Sequence, residues 1–353
     1  MDKCEKIFKL NTDKTIVFEL NYSCNLQCIH CYVPSEEKLQ RRFMNYSDAK
    51  SLLDQLQNNG FKRILITGGE PLLNPDFEKI YTYAWDMGFT ISLFSNVTLM
   101  DEKIKRLLVE KKPALIRVSL FGGDIDSYEK VTGHNLYKVV YANILFLKEN
   151  NVNVTVKIPL LKQNNLVAIR EIQQSLAEQG ISTKVEVRIL PRFDGDNETV
   201  NYRYRPEEII ALGIDNQVRG LEKYKQISKQ FDKKVKDINY CIHVCQPFVV
   251  NPECKLQLCF FMREWTIDLK TVPFLKALEM LIEKISNEQI ENSEFECKGC
   301  DKQYMCPYCP GWAKTEVGMI NKKIPFLCEL VEGYENKYNA LIVNKKNEVV
   351  ENE

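Results

Sequence analysis

The chain has 353 residues, 44% of them hydrophobic, enough for one large domain or two with a substantial core. Lys plus Arg and Asp plus Glu both number 48, so the basic excess typical of nucleic-acid binders is missing. No apolar run approaches the ~18 residues of a membrane span, and the start, Met-Asp-Lys-Cys-Glu-Lys, lacks the apolar core of a signal peptide. A cytoplasmic protein is expected, and there 13 cysteines read as metal ligands before disulfides.

From Thr15 to about Leu190, strand-like and helix-like segments alternate. Strands are predicted at Thr15–Leu20, Arg63–Thr67, Thr90–Phe94, Leu115–Leu120, Val152–Leu160 and Thr183–Leu190. Helical period occupies Tyr46–Asn59, Asp76–Met87, Asp101–Lys111, Tyr137–Glu149 and Asn165–Gln179. Asn74 or Asp76, and Asp101, look like helix starts, while Gly60, Gly88 and Gly180 fall where helices should stop. Six βα units imply a parallel sheet, either doubly wound or a full or partial barrel, with the site at the carboxyl ends of the strands.

Arg192 to Asn201 is a polar connection, and Pro206 opens a helix. The basic stretch Lys223–Lys236 reads as the solvated face of a surface helix. No cysteine occurs between Cys31 and Cys241, and then nine occur up to Cys328, which marks two modules. The division expected is residues 1–200, a helical linker 201–240, a cysteine-rich module 241–335 and a fraying tail 336–353.

Cys24, Cys28 and Cys31, spaced C-x3-C-x2-C, follow the first predicted strand. Three thiolates hold three irons of a 4Fe–4S cubane and leave the fourth open, whereas electron-carrying clusters normally take four cysteines. Gly68-Gly69-Glu70-Pro71 follows the second strand, where glycines permit close backbone approach and positive φ. Alone, that turn would be an ordinary tight βα connection.

Together these motifs resemble the radical S-adenosylmethionine (SAM) superfamily. The resemblance implies a partial (β/α)6 barrel and SAM chelated by the open iron. It implies reductive cleavage of SAM to a 5′-deoxyadenosyl radical that abstracts a substrate hydrogen. Backbone carbonyls of Gly68, Gly69 and Glu70 would receive the SAM ammonium, with Thr67 just before them. His30 matches a position bordering the adenine, or is a loop histidine. Ser95-Asn96 resembles the family's Thr-Asn-Gly, with Val97 in place of the glycine. Ser119 resembles a ribose- or carboxylate-contacting serine, or simply caps a strand end. Leu160 or Leu161 would wall the adenine or belong to the core.

The later cysteines resemble the SPASM domain of radical SAM peptide maturases, making the second module a small cysteine-rich iron–sulfur domain. The resemblance implies one auxiliary 4Fe–4S cluster on Cys241, Cys245, Cys259 and Cys309 and another on Cys297, Cys300, Cys306 and Cys328. With the SAM cluster, that makes three. Cys254 stands where glycine is usual and is left over, as is Cys4. From spacing alone, zinc and iron–sulfur are evenly matched. The upstream triplet favours iron–sulfur. Phe260, Phe261, Tyr304, Tyr308 and Trp312 would shield the metals.

The function expected is oxidative modification of a ribosomally made peptide, by crosslinking or side-chain oxidation. Alternatives are radical oxidation of a tetrapyrrole or sugar alcohol, and a non-catalytic iron–sulfur electron carrier, which would need neither the open iron nor Gly-Gly-Glu. A flavodoxin- or ferredoxin-like donor would supply electrons, and a leader peptide would need a separate binding protein. Phe260 stands where sulfatase-maturing relatives resemble one another in an aspartate, which argues against sulfatase maturation. Glu186, Arg188 and Arg192 are candidates to line the site, or ordinary salt bridges, and no catalytic side chain is assigned.

Overall fold

The computed structural model describes residues 11–213, 238, 241–287, 295–303 and 305–350. Cys4, the stretch Lys223–Lys236, the rest of the linker beyond residue 213 apart from Ile238, Tyr304 and residues 351–353 lie outside them.

The first module runs β1 (Thr15–Glu19), α1 (Ser35–Leu39), α2 (Tyr46–Asn58), β2 (Arg63–Thr67), α3 (Phe77–Asp86), β3 (Thr90–Ser95) and α4 (Glu102–Glu110). It continues β4 (Leu115–Ser119), α5 (Ile125–Thr132), α6 (Tyr137–Glu149), β5 (Val154–Pro159), α7 (Leu166–Glu178) and β6 (Ser182–Glu186). Helix starts follow local chemistry: Asn45, Asp101, Asp124 and Asn165 side chains accept first-turn amides. Asp76 occupies a start position without capping its own helix; its carboxylate instead accepts from Tyr46 N at 3.0 Å, tying α2 to α3. Gly60, Gly88 and Gly180 end helices with φ of 81°, 83° and 67°.

The strands lie in the order β6-β5-β4-β3-β2-β1, all parallel. Consecutive order with crossovers of one hand puts every helix on one face, unlike a doubly wound sheet whose order reverses. That face carries Ile16, Phe18, Ile66, Leu93, Ile116, Val118 and Val156, buried against Leu53, Tyr81, Leu108, Ile144 and Ile169 of the helices. Alternation along the strands sends Glu19, Thr67, Arg117, Ser119 and Lys157 to the other face. The ladder is open, with β6 at one edge, so a closed barrel is ruled out. Predicted strands Val152–Leu160 and Thr183–Leu190 both ran beyond the ladder, which ends at Pro159 and Glu186.

After α8 (Pro206–Leu212) come β7 (Val249–Val250), β8 (Lys255–Gln257), β9 (Thr266–Asp268), α9 (Phe274–Asn287), α10 (Pro310–Val317) and α11 (Pro325–Val350). β7 joins β1 in parallel, and β8 and β9 extend the same sheet antiparallel, so the sheet runs unbroken into the cysteine-rich module. The tail expected from 336 is instead the continuation of α11. Leu327, Leu330, Val331, Tyr334 and Tyr338 recur at helical spacing and are buried, which carries the helix through Gly333.

Candidate functional site

Asn21 to Cys31 leave the carboxyl end of β1 as a loop held from two sides. On one, Leu20 N donates to Thr67 O at 2.9 Å, Gly69 N to Asn21 O at 2.8 Å and Glu70 N to Ser23 O at 2.9 Å. On the other, Gln27 N and Ile29 N donate to Thr132 O and Val131 O at the end of α5. A Cβ on Gly68 would lie 2.4 Å from Asn21 O, and one on Gly69 2.3 Å from Ser23 O. The glycines are therefore required by the cysteine loop itself, and Gly68 also has φ of 147°.

The three thiols converge. Burial raises the Cys28 thiol well above its ordinary value, and the charges of Cys31 and Cys24 raise it further. Burial pushes Cys24 up to about 12, with Glu70 and Cys31 adding to it. All three line a cavity of about 820 Å3 that Lys38, Arg192 and Tyr202 also border. Among the described residues, no three His, Cys, Asp or Glu are arranged around a single metal ion. A cubane differs from such a site in needing each thiolate on its own iron, around a chamber.

Glu70 does something the motif did not reveal. Its fully buried carboxylate accepts from Ser95 Oγ and Asn96 N, both at 2.7 Å, and from Leu72 N at 3.1 Å. Burial raises its carboxyl to about 7 against these hydrogen bonds. It thereby ties the second βα turn to the third. Asn96 Nδ2 in turn donates to Asn25 Oδ1 at 3.1 Å and approaches Cys24 Sγ at 3.8 Å. Val97 keeps a left-handed φ of 52° although it is β-branched and fully buried.

His30 is half-buried against Phe121, ring centroids 5.4 Å apart, with Nδ1 shut from solvent and unpartnered. Burial lowers its pKa to about 3, helped by Lys157 and Lys38. Ser119 ends β4 opposite Lys157 of β5. Leu160 and Leu161 are buried in separate apolar clusters, matching their core reading.

The later thiols fall into two neighbourhoods. Cys241 hydrogen-bonds with Cys245 and feels Cys309 and Cys259. Cys309 in turn acts on Cys259, and Cys245 on Cys309. Cys297 feels Cys306, Cys328 and Cys300, and those four line a cavity of about 230 Å3. Tyr308 stands between the groups, within reach of Cys297, Cys309, Cys241 and Cys306. Cys254 is buried at φ of 63° beside Asp48 and Lys270, apart from both groups. Trp312 donates to Glu316 Oε2 and packs on Phe326.

Spacing carried no sign of several residues that join the modules. Arg263 Nη2 donates to both Glu19 oxygens at 3.1 and 3.3 Å, Nη1 donates to Tyr22 Oη, and Nε donates to Phe260 O at 2.7 Å. Its guanidinium lies 3.8 Å from the Phe193 ring centroid. Tyr32, next to Cys31, has its ring 6.1 Å from both Phe260 and Phe261, next to Cys259. Arg203 forms a bidentate pair with Glu316 at 2.8 and 2.7 Å.

Known proteins match this arrangement. Residues 18–176 match the radical SAM superfamily. An AdoMet-dependent heme synthase of Methanosarcina barkeri is 29% identical over 123 residues, 35% of each chain. The antilisterial bacteriocin subtilosin biosynthesis protein AlbA of Bacillus subtilis is 26% identical over 165 residues, 46% of this chain and 36% of that protein. Such alignments span only about a third of those relatives' length. In fold, anSMEcpe with bound AdoMet and Cp18Cys peptide superposes with TM-score 0.68 at 16% identity, covering 95% of this chain and 99% of that one. Streptococcus suis SuiB bound to precursor peptide SuiA superposes with TM-score 0.67 at 15% identity, covering 90% and 76%. The matched residues 18–176 contain both the cysteine loop and the Gly-Gly-Glu turn, and over them this chain is similar to the radical SAM superfamily.

Proposed function

We propose that the chain is a radical SAM enzyme that oxidatively modifies a peptide. The observation that carries this reading is one continuous sheet bearing the Cys24, Cys28 and Cys31 loop at one strand end, with two further groups of four thiols on segments flanking and following β7 to β9. The open six-strand parallel ladder is then a partial barrel, and the cysteine-rich module a SPASM-like domain. Cys24, Cys28 and Cys31 would hold the SAM-binding cluster. Cys241, Cys245, Cys259 and Cys309 would hold one auxiliary cluster, and Cys297, Cys300, Cys306 and Cys328 the other. The convergence of each set and the cavities beside the first and third fit such groups.

Clusters held by these thiols would supply the electron for reductive SAM cleavage at the first centre and an electron acceptor at the later two. The chain's own residues do the rest. The Gly68 and Gly69 carbonyls accept no hydrogen bond from the described residues and are free to receive an ammonium. The Glu70, Ser95 and Asn96 bonds fix that turn against the cysteine loop. His30, Asn96 and Ser119 border the cofactor. An external flavodoxin- or ferredoxin-like protein would deliver electrons, and a separate protein any leader peptide. Peptides bound to anSMEcpe and SuiB support a peptide substrate.

A tetrapyrrole substrate is the second reading, favoured by the heme synthase and the Fe-coproporphyrin III synthase of Methanosarcina barkeri, 29% and 26% identical over their aligned parts. Anaerobic reconstitution tests the assignment. About 12 irons per chain without zinc, 5′-deoxyadenosine from SAM under dithionite, and loss of two hydrogens from a peptide are expected. About 4 irons plus zinc would remove the auxiliary electron relay. Absence of 5′-deoxyadenosine from iron-replete protein would refute the enzyme reading.

A further inference from the structure

The face of the sheet turned away from the helices is cationic over β4 to β6. Register places Arg117 beside Thr155, Ser119 beside Lys157, and Lys157 directly beside Lys184. Arg188 lies two residues beyond Glu186, past the end of β6, and its guanidinium reaches back to that carboxylate. One carboxylate serves this group. Glu186 accepts from Arg188 Nε on Oε1 at 2.8 Å and from Nη2 on Oε2 at 3.1 Å, and Lys157 Nζ lies 3.3 Å from Oε2 as well. Arg117 has no carboxylate partner among the described residues and rests on the Phe94 ring at 4.5 Å. Lys184 is exposed and equally without an acid. Glu19, on the same face of β1, is already taken by Arg263.

Like charges held side by side in a partly dehydrated place repel, and the cost falls when an anion joins them. The ion pair shows the shortfall unevenly. Burial would raise Glu186, but Arg188 and Lys157 bring it down to about 2, so it is fully ionised. Lys157 is lowered, by burial first and then by Arg188 and Lys184, despite Glu186. The acid is therefore fully compensated and the lysine is not. The row also has a position in the site. Lys157 is within electrostatic reach of His30, beside the first cysteine set, and Arg188 within reach of Cys309, in the second. The space between those two sets is where a substrate must lie if it gives a hydrogen to one centre and an electron to the other.

We propose that Arg117, Lys157, Lys184 and Arg188 form a subsite for a substrate carboxylate, making the preferred substrate an acidic one. This rests on the reading of the chain as a radical SAM enzyme. The carboxylate comes from Asp or Glu side chains of a peptide or from the propionates of a tetrapyrrole, and the row recognises the same chemistry in both.

The test uses the full chain, reconstituted anaerobically and saturated with SAM, with binding read at low and high salt. One arm compares a fluorescent Ala-Glu-Glu-Glu-Ala peptide with its all-Gln counterpart. The other compares coproporphyrin III with its tetramethyl ester. Tighter binding of the acid by about tenfold in either arm, lost at high salt, is expected. Lys184→Gln and Arg117→Gln should each remove most of that discrimination while leaving SAM binding unchanged, and Lys157→Arg should retain it. Because Arg188→Met also strands Glu186, the exposed Lys184→Gln variant carries the decision if the Arg188 variant fails to fold. Equal binding of acid and neutral probes in both arms overturns the proposal. So does loss of SAM affinity in Lys184→Gln and Arg117→Gln, which would assign the row to the cofactor. SAM cleavage is assayed in parallel, so failure of the enzyme reading shows as missing 5′-deoxyadenosine and failure of the subsite as missing discrimination.

Discussion

Replacing Arg263 by Met tests whether the two modules are locked through a buried charge. Glu19 is 0% exposed and its carboxylate is met by Arg263 and by Tyr22 Oη, which donates at 3.1 Å. Removing one partner of such a pair costs about 3–5 kcal/mol, because the remaining charge stays buried without compensation. Loss of the stacking on Phe193 adds to this. Removing both charges should cost less than removing the arginine alone, so Glu19→Gln/Arg263→Met should be more stable than Arg263→Met. Urea unfolding at matched iron content, followed by aromatic circular dichroism, gives the comparison. The pH dependence has a definite sign. Burial raises the Glu19 carboxyl above its ordinary value even with Arg263 in place, and without Arg263 it rises further. The folded variant then binds its proton more tightly than the unfolded chain, so its deficit grows with rising pH and shrinks towards acid. A deficit below about 1 kcal/mol at neutral pH, against the 3–5 expected, would show that Glu19 is reached by water and that the lock is not electrostatic. A double variant no better than the single would say the same.

Gly69→Ala should cost at least about 1–3 kcal/mol and strip iron from the first site while sparing the later thiols, since its Cβ would meet Ser23 O at 2.3 Å and Tyr22 O at 2.4 Å. Gly88→Ala, at φ of 83° but with nothing within 4 Å, supplies the comparison for left-handed strain without a clash and should keep its iron, and iron per chain with urea midpoints checks both. Glu186→Gln should flatten the acid limb of the stability profile. With its carboxyl at about 2 rather than the ordinary 4.5, the native residue contributes about 3 kcal/mol above pH 4.5, lost as pH falls towards 2; melting temperatures between pH 5 and pH 3 measure it. Val97→Gly should be milder than Val156→Gly. Both lose a buried side chain, but glycine at 97 releases about 1–3 kcal/mol of left-handed strain, whereas Val156 lies in a regular strand.

The first module was legible because each signal was local. Six apolar runs, capping Asp and Asn residues and terminal glycines each act within a few residues, and the ladder assembled from them follows chain order. The cysteine triplet and Gly-Gly-Glu were legible as motifs, but their physics was not. The glycines make room for Tyr22 and Ser23 carbonyls, and the glutamate holds the Ser95-Asn96 turn. Two positions that break the family's glycine pattern, Val97 and Cys254, nevertheless adopt φ of 52° and 63°, which glycine takes without strain. The strands β7 to β9 escaped notice because two or three residues carry no period. Val249 and Val250 become a strand only because β1 is beside them.

The C-x2-C at Cys306 and Cys309 shows why spacing alone misleads in the second module. Read locally, the pair belongs to one metal site, as a zinc ligand pair would. In the structure Cys306 keeps company with Cys297, and Cys309 with Cys259 and Cys241. Tyr308 makes that divergence rigid: its one hydroxyl hydrogen is shared between Ile320 O at 2.7 Å and Lys322 O at 2.9 Å, and its ring packs on Phe295. Cys309 then starts α10, whose Glu316 takes Arg203 from the connection after β6. One short turn therefore sets the separation of the two thiol groups and anchors both to the parallel sheet. Loosening it should disturb both groups together, which two independent zinc staples would not require. Tyr308→Phe keeps the ring and removes only the two hydroxyl bonds, so a loss of iron shared by both groups in that variant would follow from the crossed arrangement, and a loss confined to one group would contradict it.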